Sequence, residues 1–265
     1  HRRAPVGTSG MPVHDVAAAG FGAASDVYER ARPSYPPDAV AWLVDALRLG
    51  PGVATLDLAA GTGKLTRLLA PTGARLVAVE PVAGMRRLLV ARQPGLAVVA
   101  ATAEALPVRA GALDAVTVAQ AFHWFDADAA FAELARVLRP GGRVGLIWNA
   151  RDRTVAWVDA IWSIMDRVEK RAPWRDHDGG TRDALHPRPG FGPMHEATFH
   201  HEQQMTPDGL VERFASVSHV AVLDEARRAA VLAEVRATLA ARPDTAGRSD
   251  LALPYRVDAY WCERL

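Results

Sequence analysis

A glycine-containing segment, Leu56-Asp57-Leu58-Ala59-Ala60-Gly61-Thr62-Gly63-Lys64, has the residue types of a loop that binds a nucleoside. It follows an apolar run that ends at Leu58 and precedes a predicted helix that begins at Lys64. Glycine lets the backbone turn sharply and approach a ligand closely. Glu80 lies about 20 residues further on, where a carboxylate can accept hydrogen bonds from both hydroxyls of a ribose. The spacing predicts a nucleoside site at the carboxyl ends of parallel strands.

Two other nucleotide-binding loops fit this segment less well. A Walker phosphate-binding loop needs a glycine at the position of Leu58 and a serine or threonine at the position of Leu65. A dinucleotide-binding loop needs a third glycine, and Thr66 occupies that position. Asp57 would be unfavourable beside a pyrophosphate but suits a ligand that carries an amino group and a sulfonium.

Alternating strands and helices must position these residues, up to about Ala150. Short apolar runs predict strands over 53–58, 75–80, 96–100, 113–119 and 143–148. Helical periodicity and stop signals predict helices over 38–49, 64–70, 82–92 and 128–138, the last closed by Pro140-Gly141-Gly142. Short, wholly apolar strands between helices predict a doubly wound α/β fold, with a parallel sheet covered on both faces.

The pattern changes after this region. We expect a helix over 154–171, a polar and mobile loop over 172–193, a strand over 196–205, helices over 207–217 and 225–239, and a last strand over 251–264. The domain prediction is a flexible tail over 1–20, a nucleoside-binding core with an N-terminal lid over 21–150, and cap helices, the loop and terminal strands over 151–265. The last region completes the same domain.

Composition limits the classes of partner. The 265 residues carry a formal net charge of +1, which predicts neither nucleic acid nor an anionic membrane as a partner. Cys262 is the one cysteine, so an intramolecular disulfide and a cysteine-based zinc site are excluded, and no metal is expected. The chain has no run of 18 apolar residues. We expect a cytoplasmic monomer or homodimer.

Five motifs in order make the sequence resemble class I S-adenosylmethionine-dependent methyltransferases, especially the "type 11" group that includes trans-aconitate-methyltransferase-like enzymes. They are Asp57 to Gly63, Val79-Glu80-Pro81 with Met85, Ala103-Glu104-Ala105-Leu106-Pro107, Leu113-Asp114-Ala115-Val116, and Leu138-Arg139-Pro140-Gly141-Gly142. The resemblance implies a Rossmann-like, mostly parallel seven-stranded sheet with an antiparallel last strand and a helical cap. One departure is Ala59, where the family usually has glycine.

The resemblance also implies roles for individual residues. Glu80 would hold the ribose, Met85 would pack on the adenine, and Thr102 and Ala103 would meet the adenine edge. Asp57 and the backbone of Gly61 and Gly63 would frame the methionine end. Arg32 and Tyr28, in a segment similar to the family's N-terminal lid, are candidates to contact the methionine carboxylate and the cofactor or acceptor. The remaining cofactor candidates are Ala59, Pro81, Glu104, Ala119 and Gln120.

His123 and Trp124 follow the fourth predicted strand and are therefore expected beside the transferable methyl group. An imidazole can accept a proton from the methyl acceptor, although His123 could equally bond to backbone and shape the loop. Trp124, Trp148 and Trp157 are candidates to line the acceptor pocket. The expected function is transfer of a methyl group to an O, N or C atom of a small molecule, with S-adenosylhomocysteine as product. A non-catalytic S-adenosylmethionine or nucleotide sensor and a nicotinamide-dependent oxidoreductase remain alternatives.

Overall fold

The short apolar segments of the first half form parallel strands in the computed structural model, which describes residues 33–169 and 188–265. These strands are β1 (Ala54–Leu58), β2 (Arg75–Val79), β3 (Ala97–Val99) and β4 (Leu113–Ala119). Asp57 of β1 pairs in register with Ala78 of β2 and Thr117 of β4. Because all four strands run in the same direction, their carboxyl ends meet along one edge of the sheet.

Four helices accompany these strands: the first precedes β1, the next two connect β1 to β2 and β2 to β3, and the fourth follows β4. They are α1 (Pro37–Ala46), α2 (Lys64–Leu69), α3 (Ala83–Arg92) and α4 (Ala127–Val137), with short 3-10 helices at Ala70–Thr72 and Phe122–Trp124. Helix α1 ends earlier than predicted because Arg48 adopts a left-handed backbone conformation, with φ of 54°. Helix α4 begins at a side-chain cap, since the carboxylate of Asp126 accepts the amide of Ala129 at 3.1 Å.

Strand β5 (Leu138–Arg151) is much longer than the predicted strand over 143–148. Its start includes the Pro140-Gly141-Gly142 turn, because the amide of Gly141 donates to the carbonyl of Arg264 and the amide of Arg264 donates to Gly142. Its far end pairs with the last strand as far as Arg151 and Tyr255. These partners are remote in sequence, so local pattern does not reveal the full length of the strand.

The remaining elements are α5 (Ala156–Glu169), β6 (His195–Met205), α6 (Pro207–Ala215), α7 (Ser218–Ala221), α8 (Glu225–Ala241) and β7 (Leu251–Glu263). The strand order is β3-β2-β1-β4-β5-β7-β6, and β7 is antiparallel to both of its neighbours. The predicted seven-stranded, mostly parallel sheet with an antiparallel last strand is therefore confirmed. Residues 1–20, and all but the end of the predicted loop at 172–193, lie outside the described residues.

Alternating strand residues divide the core between the two sheet faces. Leu56, Val116 and Leu146 pack on the face that α4 covers, whereas Ala115 and Ile147 pack on the face that α1 and α2 cover. A third group of buried side chains, which we call the C-terminal cluster, joins α5, α6, α7 and α8 to the beginning of β7. Its members include Trp157, Ile161, Leu210, Phe214, Val235, Leu253 and Tyr255.

Candidate functional site

The loop between β1 and α2 contains three residues with left-handed backbone conformation. The φ angles are 54° at Ala59, 58° at Gly61 and 83° at Gly63. A Cβ atom added to Gly63 would lie 2.2 Å from Cδ1 of Leu89, so glycine is required there by backbone angle and by space. Ala59 adopts the same backbone region at a cost of about 1–2 kcal/mol. Glycine, which the family that the sequence resembles usually has at this position, avoids that backbone cost.

Glu80 follows β2 directly and lies against this loop. Its side chain is buried, with 3% of the residue exposed. One carboxylate oxygen accepts the amide of Gly61 at 2.9 Å, and the other accepts the amide of Val82, which caps α3, at 2.7 Å. A carboxylate accepts hydrogen bonds through both of its oxygens, and hydroxyl groups are among its ordinary donors. Glu80 therefore ties the loop to the start of α3 and remains chemically suited to accept hydroxyl donors.

Asp57 is a second buried carboxylate and lies within β1 rather than in the loop. Its oxygens accept the hydroxyls of Thr66 of α2 and Thr117 of β4, the latter at 2.9 Å. The pKa of Asp57 is raised to about 6, chiefly by burial and to a smaller extent by the charge of Glu80, against the opposing effect of the two threonine hydrogen bonds. Asp57 thus fastens α2 to the sheet beside the glycine loop, and its role at the methionine end stays a prediction.

Met85 and Pro81 flank the other side of the glycine loop. The Met85 sulfur lies 3.8 Å from the place that a Cβ on Gly61 would take, and within residues 33–169 and 188–265 no other residue apart from the chain neighbours of Gly61 comes within 4 Å of that place. The guanidinium of Arg86 donates to the carbonyls of Glu80 at 2.7 Å and Pro81 at 2.5 Å. Those bonds hold the turn between β2 and α3 in place, and this turn places Met85 beside the backbone of Gly61.

The turn after β3 carries the predicted adenine-edge residues. Thr102 pairs with Ala105 in an isolated β-bridge, and Ala103 between them is buried. The carboxylate of Glu104 accepts the amide of Asp126, the cap of α4, at 3.1 Å. These contacts fix the turn at the same edge of the sheet as Glu80, whose own amide donates to the last residue of β3.

At the end of β4, Ala119 and Gln120 lead into the segment that contains His123. Gln120 is left-handed, with φ of 59°, and its amide donates to the carbonyl of Ile147 at 3.0 Å. His123 and Trp124 lie in the 3-10 helix, with ring centroids 4.8 Å apart. Trp124 is 54% exposed, which is unusual for a large apolar side chain. The two aromatic rings therefore lie at the carboxyl edge, as the sequence predicts.

The other predicted site residues lie in different surroundings. The ring of Trp148 packs edge-on against Tyr260 at 5.9 Å, and its buried indole nitrogen has no hydrogen-bond partner within residues 33–169 and 188–265. Trp157 is 7% exposed and belongs to the C-terminal cluster, so the contacts in the structure explain it as a core residue. Tyr28 and Arg32 lie outside the described residues.

Sequence reasoning missed Asn149. Its side chain bonds to the backbone of Ser34 and to His201 of β6, and its carbonyl accepts the side chain of Gln120. A polar residue directly after the apolar run of β5 was the available signal. The partners at Ser34 and His201 are too far away in sequence to be inferred from it.

Residues 56–146 match the family model described as a methyltransferase domain. An uncharacterized methyltransferase of Mycobacterium tuberculosis is 40% identical over 235 residues, which are 89% of this chain and 91% of that relative. The chain belongs to the methyltransferase family. The resemblance that the five sequence motifs indicated is therefore confirmed.

Solved structures extend the similarity of this methyltransferase to the fold. A methyltransferase from Anaeromyxobacter dehalogenans superimposes with a TM-score of 0.66 at 26% identity, over 88% of this chain and 97% of that chain. An N-methyltransferase of Haemonchus contortus, in complex with phosphomonomethylethanolamine and S-adenosylhomocysteine, has a TM-score of 0.58. Its 15% identity, over 95% of this chain and 59% of that chain, shows similarity of fold alone.

Over residues 33–169 and 188–265, no three or more His, Cys, Asp or Glu side chains converge in a way that could hold a metal ion. No helix within those ranges is long and apolar enough to cross a bilayer.

Proposed function

We propose that this methyltransferase uses S-adenosylmethionine to methylate an O, N or C atom of a small molecule by in-line attack. The observation that carries the proposal is the position of Glu80. It is buried at the carboxyl end of β2 and bonded to Gly61, in a chain of the methyltransferase family. A fixed carboxylate beside an open loop is the arrangement that nucleoside recognition requires.

The residues at this edge fit the cofactor. Glu80 would accept the ribose hydroxyls, Met85 would pack on the adenine, and the turn at Thr102 and Ala103 would meet the adenine edge. Among the described residues, only Met85 and the chain neighbours of Gly61 lie near a Cβ built on Gly61, which leaves room for close approach to the loop backbone. When bound, the cofactor supplies an electrophilic methyl group on a sulfonium.

The chain's own contribution to transfer is alignment, exclusion of water and removal of a proton. Trp124, in the 3-10 helix after β4, would line the acceptor pocket together with Trp148 of the adjacent strand β5. The acceptor atom would form a bond to the methyl carbon as the carbon–sulfur bond breaks. His123, next to Trp124, would take the proton that an acceptor hydroxyl or amine loses. Alignment in a dry site supplies the rest of the rate enhancement.

Calorimetry on Glu80→Ala tests the cofactor assignment. We expect S-adenosylmethionine and S-adenosylhomocysteine to bind the wild type, and Glu80→Ala to weaken binding by about 1.5–3 kcal/mol, the scale of a lost charged hydrogen bond. Glu202→Gln, at an exposed position of β6, is the matched control and should bind as the wild type does. Unchanged affinity in folded Glu80→Ala would refute the site, and binding of NAD alone would favour the oxidoreductase.

Single turnover with radiolabelled methyl donor tests His123, once screening has found an acceptor. His123→Ala should slow transfer about a hundredfold or more, because acid–base assistance contributes 10²–10⁴. His123→Asn separates the two roles, since asparagine keeps one hydrogen bond but cannot take the proton. Near-normal turnover in His123→Asn would leave alignment alone as the mechanism.

A further inference from the structure

The Asn149 junction, formed by Asn149, Ser34, Gln120 and His201, joins three separate segments at the carboxyl edge of the sheet. The side-chain amide of Asn149 donates to the carbonyl of Ser34 at 3.1 Å, just before α1. Its side-chain oxygen lies 2.8 Å from Nε2 of His201 in β6. Its backbone carbonyl accepts the side chain of Gln120 at 3.3 Å. One residue thus connects the entry to α1, the end of β4 and strand β6.

Hydrogen-bond chemistry determines how the junction is oriented. The Ser34 carbonyl can only accept, so Asn149 must direct its NH₂ group towards it. The amide oxygen therefore faces His201, and Nε2 of His201 must carry a hydrogen. The His201 ring is held by stacking on Tyr255, with centroids 5.2 Å apart and planes 20° apart. Burial lowers the pKa of His201 against the opposing charge of Asp38, which favours the neutral ring in this role.

Gln120 is the member of the junction that the resemblance assigns to the S-adenosylmethionine site. Its left-handed φ of 59° is unfavourable for a residue with a side chain, and such a conformation persists only where its surroundings hold it. The structure shows two such restraints, the bond from its amide to Ile147 and the bond from its side chain to Asn149. His123 follows three residues later, in the 3-10 helix at Phe122–Trp124.

We propose that Asn149 is a positioning residue that sets Gln120 and the segment before α1 in the arrangement that cofactor binding requires. The proposal rests on the proposed function, because it assigns the junction to the S-adenosylmethionine site. Asn149 itself acts through Gln120 and Ser34 and transfers no group.

Asn149→Asp is the sharpest test because it preserves shape but replaces the NH₂ donor with an acceptor facing the Ser34 carbonyl. We expect the dissociation constant for S-adenosylmethionine to rise about tenfold. We also expect amide hydrogen exchange at Gln120 and at Val40, whose amide bonds to Pro36, to speed up about tenfold. His201→Phe retains a ring to stack on Tyr255 and removes only one bond, so it should move both readouts in the same direction by a smaller factor.

Val235→Ala, in the C-terminal cluster, is the control for a merely structural effect. It should lower the melting temperature while leaving cofactor affinity and the Gln120 exchange rate within twofold of wild type. The proposal is overturned if Asn149→Asp leaves both cofactor affinity and the Gln120 exchange rate within twofold of wild type. It is also overturned if Val235→Ala, at an equal loss of melting temperature, weakens S-adenosylmethionine binding as much as Asn149→Asp does. If Asn149→Asp fails to fold, His201→Phe decides by the same criteria. If the wild type binds no S-adenosylmethionine, the proposed function fails, and the exchange rates still test the junction.

Discussion

The loop edge around Glu80 and the C-terminal cluster differ in how they use buried residues. At the loop edge, Asp57 and Glu80 are buried carboxylates, and Ala59 adopts a left-handed conformation. In the C-terminal cluster, the buried side chains are mainly aliphatic and aromatic and come from four helices and the beginning of β7. Burying charge and straining backbone cost stability, whereas burying apolar surface contributes it.

The difference indicates that the two regions have different roles, one in ligand binding and the other in stability. On the proposed function, the loop edge bears a local cost that keeps the S-adenosylmethionine-binding groups in place, and burial of apolar surface elsewhere offsets that cost. A substitution in the C-terminal cluster should therefore change stability without changing cofactor affinity, whereas a substitution at the loop edge that displaces loop or side-chain atoms should change both.

The largest effects are expected when one buried leucine in each region is replaced by alanine. Leu210 of the C-terminal cluster and Leu89, beside Gly63, are both fully buried. Leu210→Ala and Leu89→Ala should each lower the free energy of unfolding by about 2–5 kcal/mol, from lost transfer energy and the cavity left behind. Urea unfolding measures this, and calorimetry should show weakened S-adenosylmethionine binding only in Leu89→Ala. Equal loss of affinity in both variants would contradict the division.

The second prediction concerns the buried charge of Asp57. Its pKa rises on folding from 3.8 to about 6, so the folded state binds the proton more tightly than the unfolded state. The free energy of unfolding should therefore fall as pH rises from about 4 to about 6, by about 3 kcal/mol at 1.36 kcal/mol per pKa unit. Asp57→Asn removes the titrating group, so the difference between variant and wild type isolates this contribution. Parallel pH profiles in urea unfolding would refute the raised pKa.

Gly63→Ala tests the steric and conformational requirement of the loop. Left-handed backbone strain and displacement of Leu89 together should cost about 2–3 kcal/mol. S-adenosylmethionine affinity should fall as well, because Leu89 and the loop must move. Gly95→Ala is the control for left-handed strain alone, since it has φ of 91° and open space around an added Cβ. Gly63→Ala should therefore be the more destabilising of the two.

Ala59→Gly gives the smallest expected effect. Relief of the left-handed strain should exceed the greater chain entropy of glycine in the unfolded state, which leaves a net stabilisation of about 0.5 kcal/mol. A melting temperature raised by a degree or more, with unchanged cofactor affinity, would support this balance. A destabilised variant would show that packing of the Ala59 methyl group stabilises the fold by more than the left-handed backbone strain at Ala59 costs.

Most of the fold could be predicted from the sequence because its signals are local. Strand β4 occupies the predicted residues 113–119, and the other early strands differ by one or two residues at their ends. The helix ends were harder to predict, as α1 shows, since a single left-handed residue at Arg48 ends it. Of the site, the glycine loop, Glu80 and the His123-Trp124 pair lie at the predicted edge.

Sequence pattern alone predicts the order of short apolar strands, the glycine loop and Glu80, because each depends on neighbours within a few residues or on the alternation of strand and helix. The folded chain adds contacts that this pattern does not predict: Asp57 bonds to Thr66 and Thr117, Trp157 belongs to a core, and Asn149 meets Ser34 and His201. Contacts such as these join segments far apart along the chain. Which of many polar residues meet depends on strand register and packing, and no local pattern encodes that choice.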